Sequence, residues 1–304
     1  MVKPPAPRRI FATRPRRSRW FLLGGGALVL LAAAVVLALT RRGDPAVIAP
    51  PADPGVVHVH GLDVDEGDGS LYAATHTGLF RITDQAAERV GQRFHDLMGF
   101  TVAGPNDLVA SGHPDLRDEA LQRPNAPPLL GLVSSRDGGQ EWAPLSLLGE
   151  TDFHALEAAH GLIYGWDATS GRFMVSADRA SWDTRSSIQM LDFAVDPTDP
   201  DHLIAGTPEG TVESSDGGRM WRPAGDRPVA VMAWSDTGVI GVSPEGVVMT
   251  RTRDDEEWET VGHLGGQPES VLAADDVLYA SVTGRGILAS RDGGRTWAVH
   301  FAPG

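Results

Sequence analysis

The chain has 304 residues, is 41% hydrophobic and 22% charged, and contains no cysteine. A chain of this composition folds, and without thiols it has no disulfides, thiolate metal sites or cysteine nucleophiles. Nine of its 26 basic residues lie before position 44 and all 40 acidic residues lie from position 44 onward, so the remaining 17 bases leave the body with a formal charge of −23. Such a body repels phosphate, which argues against a nucleic-acid partner.

Residues 20–40, WFLLGGGALVLLAAAVVLALT, form an uncharged run of 21 positions. As a helix this run would span roughly 30 Å, the thickness of a bilayer core, so it predicts one transmembrane helix. Seven positive charges precede it and two follow. By the positive-inside rule the basic segment 1–19 is cytoplasmic and the rest extracytoplasmic, anchored in the cell membrane. A cleaved export signal is the competing reading, with Val36 and Ala38 as its small-residue site; the long basic region favours an uncleaved anchor. Residues 41–55 are rich in Pro and Ala and predict an extended tether.

From 56 to 304 the chain repeats. Three segments nearly coincide: Ser135-Arg-Asp137-Gly-Gly-Gln-Glu-Trp142, Ser214-Ser-Asp216-Gly-Gly-Arg-Met-Trp221 and Ser290-Arg-Asp292-Gly-Gly-Arg-Thr-Trp297. Two weaker copies carry Asp178 with Trp182 and Asp254 with Trp258, and a sixth carries Asp84. The aspartates are spaced 53, 41, 38, 38 and 38 residues apart, the signature of an array of supersecondary units. Each unit holds four short runs of branched and aromatic residues separated by Gly, Asp and Pro turns. Six such units predict an all-β, six-bladed β-propeller. The long first step places an insertion at about 113–128, between the second and third strands of blade 2.

The S-x-D-x-G-x-x-W element resembles the Asp-box, or BNR repeat, of sialidases, sortilin-type receptors and photosystem II assembly factors. The resemblance implies a propeller, with the aspartates and tryptophans as structural turn residues on the face opposite any active site. It also raises the prospect of a sialidase-like glycoside hydrolase, which would need a tyrosine nucleophile and an arginine triad. Tyr72, Tyr164 and Tyr279 instead all occupy one repeat position, in LYAAT, IYGWD and LYASV, as packing residues do. The Arg-Ile-Pro motif expected of sialidases is absent; Arg9-Ile10-Phe11 comes nearest.

Seven of the ten histidines fall between 58 and 160. Aligned on the first strand of each unit, His60, Met98 and His154 are equivalent, with His58, Asp96 and Asp152 two residues earlier. Residues two apart on a strand share a face. His76 and His113 end second strands, which open on the same side of a propeller. The same alignment puts Leu, Val and Ser near the matching positions of blades 4–6, so the enrichment is one-sided. Trp166 and Asp167 should flank the group, whereas His95, His160, His202, His263 and His300 read as solvated surface residues. His58, His60, Met98 and His154 are therefore the candidate ligands of a transition metal, copper or zinc, with Asp96, Asp152, His76 and His113 as further ligands or supporting groups. A plain water-lined channel is the alternative. Three functions follow: a binding or sensing module, a scaffold for an envelope protein, or a hydrolase acting on a glycan.

Overall fold

The computed structural model describes residues 53–83, 86–252 and 257–303. The apolar run 20–40 and the aspartates Asp84 and Asp254 lie outside the described residues. Among the described residues no helix is long and apolar enough to cross a membrane.

Six four-stranded antiparallel sheets follow one another along the chain. Their innermost strands, a, are Val59–Asp65, Asp96–Gly104, Phe153–Ala159, Asp192–Val195, Val231–Ser235 and Pro268–Ala274. In every sheet strands a to d are hydrogen-bonded in chain order. The second strands read as continuous apolar runs because both faces are covered by neighbouring blades; Leu203–Thr207 and Gly238–Val242 are buried throughout. Outer strands such as Ala143–Ser146 are largely exposed, and Pro144 within that strand suits an edge position. The insertion in blade 2 carries one short 3₁₀ turn, Glu119–Leu121.

The core divides into six clusters, one at each seam between blades. Tyr72, Leu79 and Phe100 belong to the seam of blades 1 and 2, and Tyr164, Phe173 and Phe193 to that of blades 3 and 4. Tyr72 and Tyr164 are thus packing residues, as their repeated position suggested, and Tyr279 packs against the seam of blades 6 and 1. Blade 6 takes all four strands from one contiguous stretch ending at Ala298–Phe301, so the ring closes without a strand shared between its first and last segments.

The repeated turns are built from local hydrogen bonds. Asp216 Oδ1 accepts from the amides of Arg219 (3.0 Å) and Met220 (2.9 Å) and from Ser214 Oγ (2.9 Å), while Ser214 Oγ accepts from Gly218 N. Asp137, Asp178 and Asp292 accept turn amides in the same way. The second glycine of each full motif is fixed by backbone and by space. Gly218 has φ +87°, and a Cβ there would lie 2.2 Å from the Phe173 ring. The tryptophans reach back to the preceding blade. Trp182 Nε1 donates to Ser146 Oγ, Trp221 Nε1 to Ser186 Oγ and Trp258 Nε1 to Thr211 Oγ1. Trp142 and Trp297 pack against the clusters at their own seams.

Candidate functional site

The inner strands carry one repeated irregularity that aims side chains at the channel mouth. In blade 1, Val59 pairs with Thr75 and Gly61 with Ala74, so His60 is bulged out of register. The same slip places Met98 in blade 2, His154 in blade 3 and Glu269 in blade 6 at bulges. In blades 4 and 5, Leu191 and Ala230 each donate their N–H to the carbonyl facing the next residue, Gly206 O and Val242 O. A bulge lets one residue leave the alternation of the strand and redirects its side chain. All six residues line a central cavity of about 590 Å³. The alignment that made His60, Met98 and His154 equivalent is therefore realised in the fold. The leucine read for blade 4 is Leu191, whereas the valine and serine read for blades 5 and 6 need correction, since the matching residues there are Ala230 and Glu269. Each bulge adds a residue that strict alternation does not count, so the register drifts by one in such an alignment.

The histidines form two groups. In the first, His58, His60 and His76 each present a ring nitrogen, all within 4.8 Å of one another. His60 Nε2 lies 3.1 Å from His76 Nδ1, which lies 2.7 Å from Asp96 Oδ1; His60 Nε2 to Asp96 Oδ1 is 3.6 Å. His58 sits at the start of strand a with φ +49° and packs its ring against both neighbours, 4.7 Å from His60 and 5.1 Å from His76 between centroids. Its Nδ1 donates to Glu269 Oε1 at 2.9 Å. Glu269 also accepts from Val59 N, Ser281 Oγ and Thr283 Oγ1, so one carboxylate orients the imidazole and ties blade 6 to blade 1.

Electrostatics separates the partners in this group. Burial lowers the pKa of His60, reinforced by the neighbouring His76 and His58 and only partly offset by the Asp96 hydrogen bond. Burial also opposes the charge on Asp96, yet hydrogen bonds from His60 and His76 hold it below the usual carboxylate range. Glu269 is held low as well: burial is outweighed by its bonds from Val59 N, His58 and Ser281. The mouth thus sets a neutral imidazole beside two ionised carboxylates, an arrangement suited to a cation.

The second group lies on blades 2 and 3. His154 Nε2 is 3.0 Å and His113 Nε2 3.6 Å from the same oxygen, Asp152 Oδ2. Trp166 presents its ring edge-on to His154 at 6.5 Å, and buried Asp167 accepts the N–H of Asp152. Met98 lines the cavity on the blade between the two groups. The two groups are distinct: His58 and His76 stand with His60, whereas His154 stands with Asp152 and His113.

Deeper in the channel lie carboxyls that sequence reasoning missed. Asp63 Oδ2 accepts from Val102 N, Glu157 from Val195 N, and Asp192 Oδ2 from Met232 N, each amide belonging to the next blade. Thr101 Oγ1 takes Ala158 N in the same manner. With Glu269 and Val59, five of the six seams carry such a staple. Burial raises the pKa of Asp63, raises that of Glu157 well above normal and pushes Asp192 up to about 7. Two histidines read as solvated also differ. His95 is 2% exposed, and its Nδ1 accepts the N–H of Asp115 in the insertion. His202 is wedged between Asp196 Oδ2 (3.0 Å) and Glu213 Oε1 (2.6 Å).

No family model and no curated protein matches the chain. Several solved structures share its fold. A nidogen/laminin complex matches with a TM-score of 0.62 at 10% identity over 77% of this chain and 93% of that one. A structure of YCF48 bound to a D1 peptide matches with a TM-score of 0.52 at 15% identity over 84% and 87%. The GH74 xyloglucanase from Xanthomonas campestris matches with a TM-score of 0.54 at 18% identity over 80% of this chain and 45% of that one. At these identities the likeness is one of fold.

Proposed function

We propose that the chain is a membrane-anchored, extracytoplasmic Asp-box propeller that works as a binding or sensing module, and that it takes up zinc or copper at the mouth of its channel. The observation that carries this reading is the close approach of His58, His60 and His76 beside Asp96. His60 Nε2, His76 Nδ1 and Asp96 Oδ1 stand 2.7, 3.1 and 3.6 Å apart. Ligand atoms about 2.0–2.1 Å from a tetrahedral ion are separated by roughly 3.3 Å, so these three suit one face of its coordination shell. His58 gives its Nδ1–H to Glu269, which leaves Nε2 as the fourth donor. A carboxylate behind a ligating imidazole fixes its tautomer and strengthens it as a base. When bound, the ion would supply a Lewis-acidic centre at the mouth; the chain's part is to hold it and orient what approaches.

The test is metal content. Full-length protein equilibrated with zinc or copper should lose the ion held here in the double variant His60→Ala/His76→Ala while remaining folded. Unchanged uptake in that variant overturns the reading. The anchor is tested separately, since a reporter fused after Gly304 should be active only outside the cytoplasm; activity inside refutes the topology.

A scaffold role for an envelope protein is the second reading, favoured by the near full-length likeness to a propeller bound to a peptide. Co-purification of a membrane partner that survives loss of the histidines would support it over the first. Glycan hydrolysis has less behind it, because this chain spans under half of the xyloglucanase it resembles.

A further inference from the structure

One side chain joins the blade 1 histidines to the closure of the ring. Glu269 stands at the bulge in the first strand of blade 6, between Pro268, which pairs with Val282, and Ser270, which pairs with Ser281. Its side chain is 9% exposed, and each carboxylate oxygen takes one bond from its own blade and one from blade 1. Oε1 accepts from Thr283 Oγ1 (3.2 Å) and His58 Nδ1 (2.9 Å), and Oε2 from Ser281 Oγ (2.8 Å) and Val59 N (3.1 Å). Blade 6 therefore grips the carboxylate with two hydroxyls, and blade 1 docks on it with a backbone amide and an imidazole.

His58 depends on that docking. Its φ is +49°, a conformation uncommon outside glycine, and its ring is 45% exposed. The bond to Glu269 sets the tautomer, with the proton on Nδ1 and the lone pair on Nε2. The proposed donors come from two blades, His58, His60 and His76 from the first and Asp96 from the second. The set is complete only when blade 6 is in place and Glu269 aims the fourth donor.

We propose that metal uptake at the mouth and closure of the ring between blades 6 and 1 are linked, with Glu269 as the positioning residue that couples them. This inference rests on the zinc or copper site proposed above and states what its occupancy does. An imidazole that gives Nε2 to a cation becomes a stronger donor at Nδ1, so its bond to an ionised carboxylate tightens. The coupling is reciprocal: the factor by which the docked seam raises metal affinity is the factor by which bound metal favours the docked seam. Occupancy at the mouth is thereby read out on a blade that contributes none of the four donors.

The experiment is hydrogen exchange of the full-length chain with and without zinc, beside a calorimetric titration that counts bound ions. Zinc should slow exchange of the amides within Pro268–Ala274 by roughly fivefold or more. His58→Asn accepts a left-handed φ and can place an amide N–H where Nδ1–H stood, so the seam persists while the fourth donor is lost. Glu269→Gln keeps the shape of the side chain without its charge. Each variant should bind zinc about 10–100-fold more weakly, and at saturating zinc blade 6 exchange should no longer respond. The proposal is overturned if the wild-type chain takes up zinc that His60→Ala/His76→Ala loses, yet blade 6 exchange stays unchanged. It is overturned equally if either folded variant keeps the full response; in both cases the metal site stands without the linkage. Zinc uptake that His60→Ala/His76→Ala leaves intact overturns the site itself, and the linkage with it.

Discussion

The two faces of the propeller use aspartate in opposite ways. On the turn face the motif aspartates among the described residues are satisfied within five residues of chain: Asp292 takes the Thr296 amide and hydroxyl and Ser290 Oγ, and its pKa falls to about 2. In the channel a carboxylate such as Asp192 has fewer partners, and one of them comes from the next blade. Asp192 has the amides of Phe193 and Met232, and its pKa rises to about 7. At the mouth carboxylates meet imidazoles instead. Local satisfaction yields an ionised structural turn, whereas sparse satisfaction in a confined space leaves groups ready to exchange protons or bind cations.

The largest effect should come from the turn face. Trp258 is 9% exposed and spans to Thr211, so Trp258→Ala should cost about 3–5 kcal/mol in denaturant unfolding. A loss under about 1 kcal/mol would mean that the tryptophans do not clamp the seams. Next comes the mouth. Metal at a hundredfold excess over its dissociation constant should stabilise the wild-type chain by about 2.7 kcal/mol, raising Tm, and this gain should vanish in His60→Ala/His76→Ala. It should fade in acid, where protons compete with the metal for the imidazole nitrogens, although burial lowers the pKa of His60 and keeps that ligand available further into acid. A pH-independent gain would point to binding elsewhere.

The channel comes third. Native Asp192 holds its proton to about pH 7, whereas an unfolded aspartate releases it near 3.8. The native state therefore binds more protons across that window, and stability falls as pH rises through it. Asp192→Asn, which keeps an acceptor for Met232 N, should stabilise by roughly 1–2 kcal/mol above pH 7, with the gain shrinking toward pH 4. An equal gain at both ends would show that charge is not the cause. Asp292→Asn should do least and with opposite sense. Its lowered pKa contributes stability above about 3.8 that is lost as pH falls toward 2, so the variant should differ from wild type in thermal melts at neutral pH and converge with it in acid.

The blades were legible because their markers are local. A serine, an aspartate and two glycines within five residues make the turn by themselves, and the period of 38 then counts the units. Strand alignment put His58, His60 and His76 at one mouth together with Met98 and His154, but that His154 stands apart with Asp152 was not legible, because distances between blades do not appear in an alignment. Glu269 was not legible either, since its partner His58 is 211 residues away and the bulge beside it shifts the alignment by one. Asp63, Glu157 and Asp192 were hidden for a similar reason: each is an ordinary polar residue on an inner strand until the neighbouring blade offers its amide. His95 gave no signal, because the Asp115 amide it serves belongs to the insertion, which has no repeat to align.

Closure without a shared strand bears on how the molecule assembles. Five seams join blades that are adjacent in sequence, mostly 38 residues apart, but the sixth brings together segments separated by 211. The longer loop adds only about 1.5 kcal/mol of chain entropy, since that cost grows with the logarithm of length. Among the described residues the sixth seam is held by the packing around Phe80 and Phe301 and by Glu269, which accepts from both Val59 N and His58. The folding chain should therefore grow as an open arc of docked blades, and the seam carrying His58 should be the last to shut and the first to part under load.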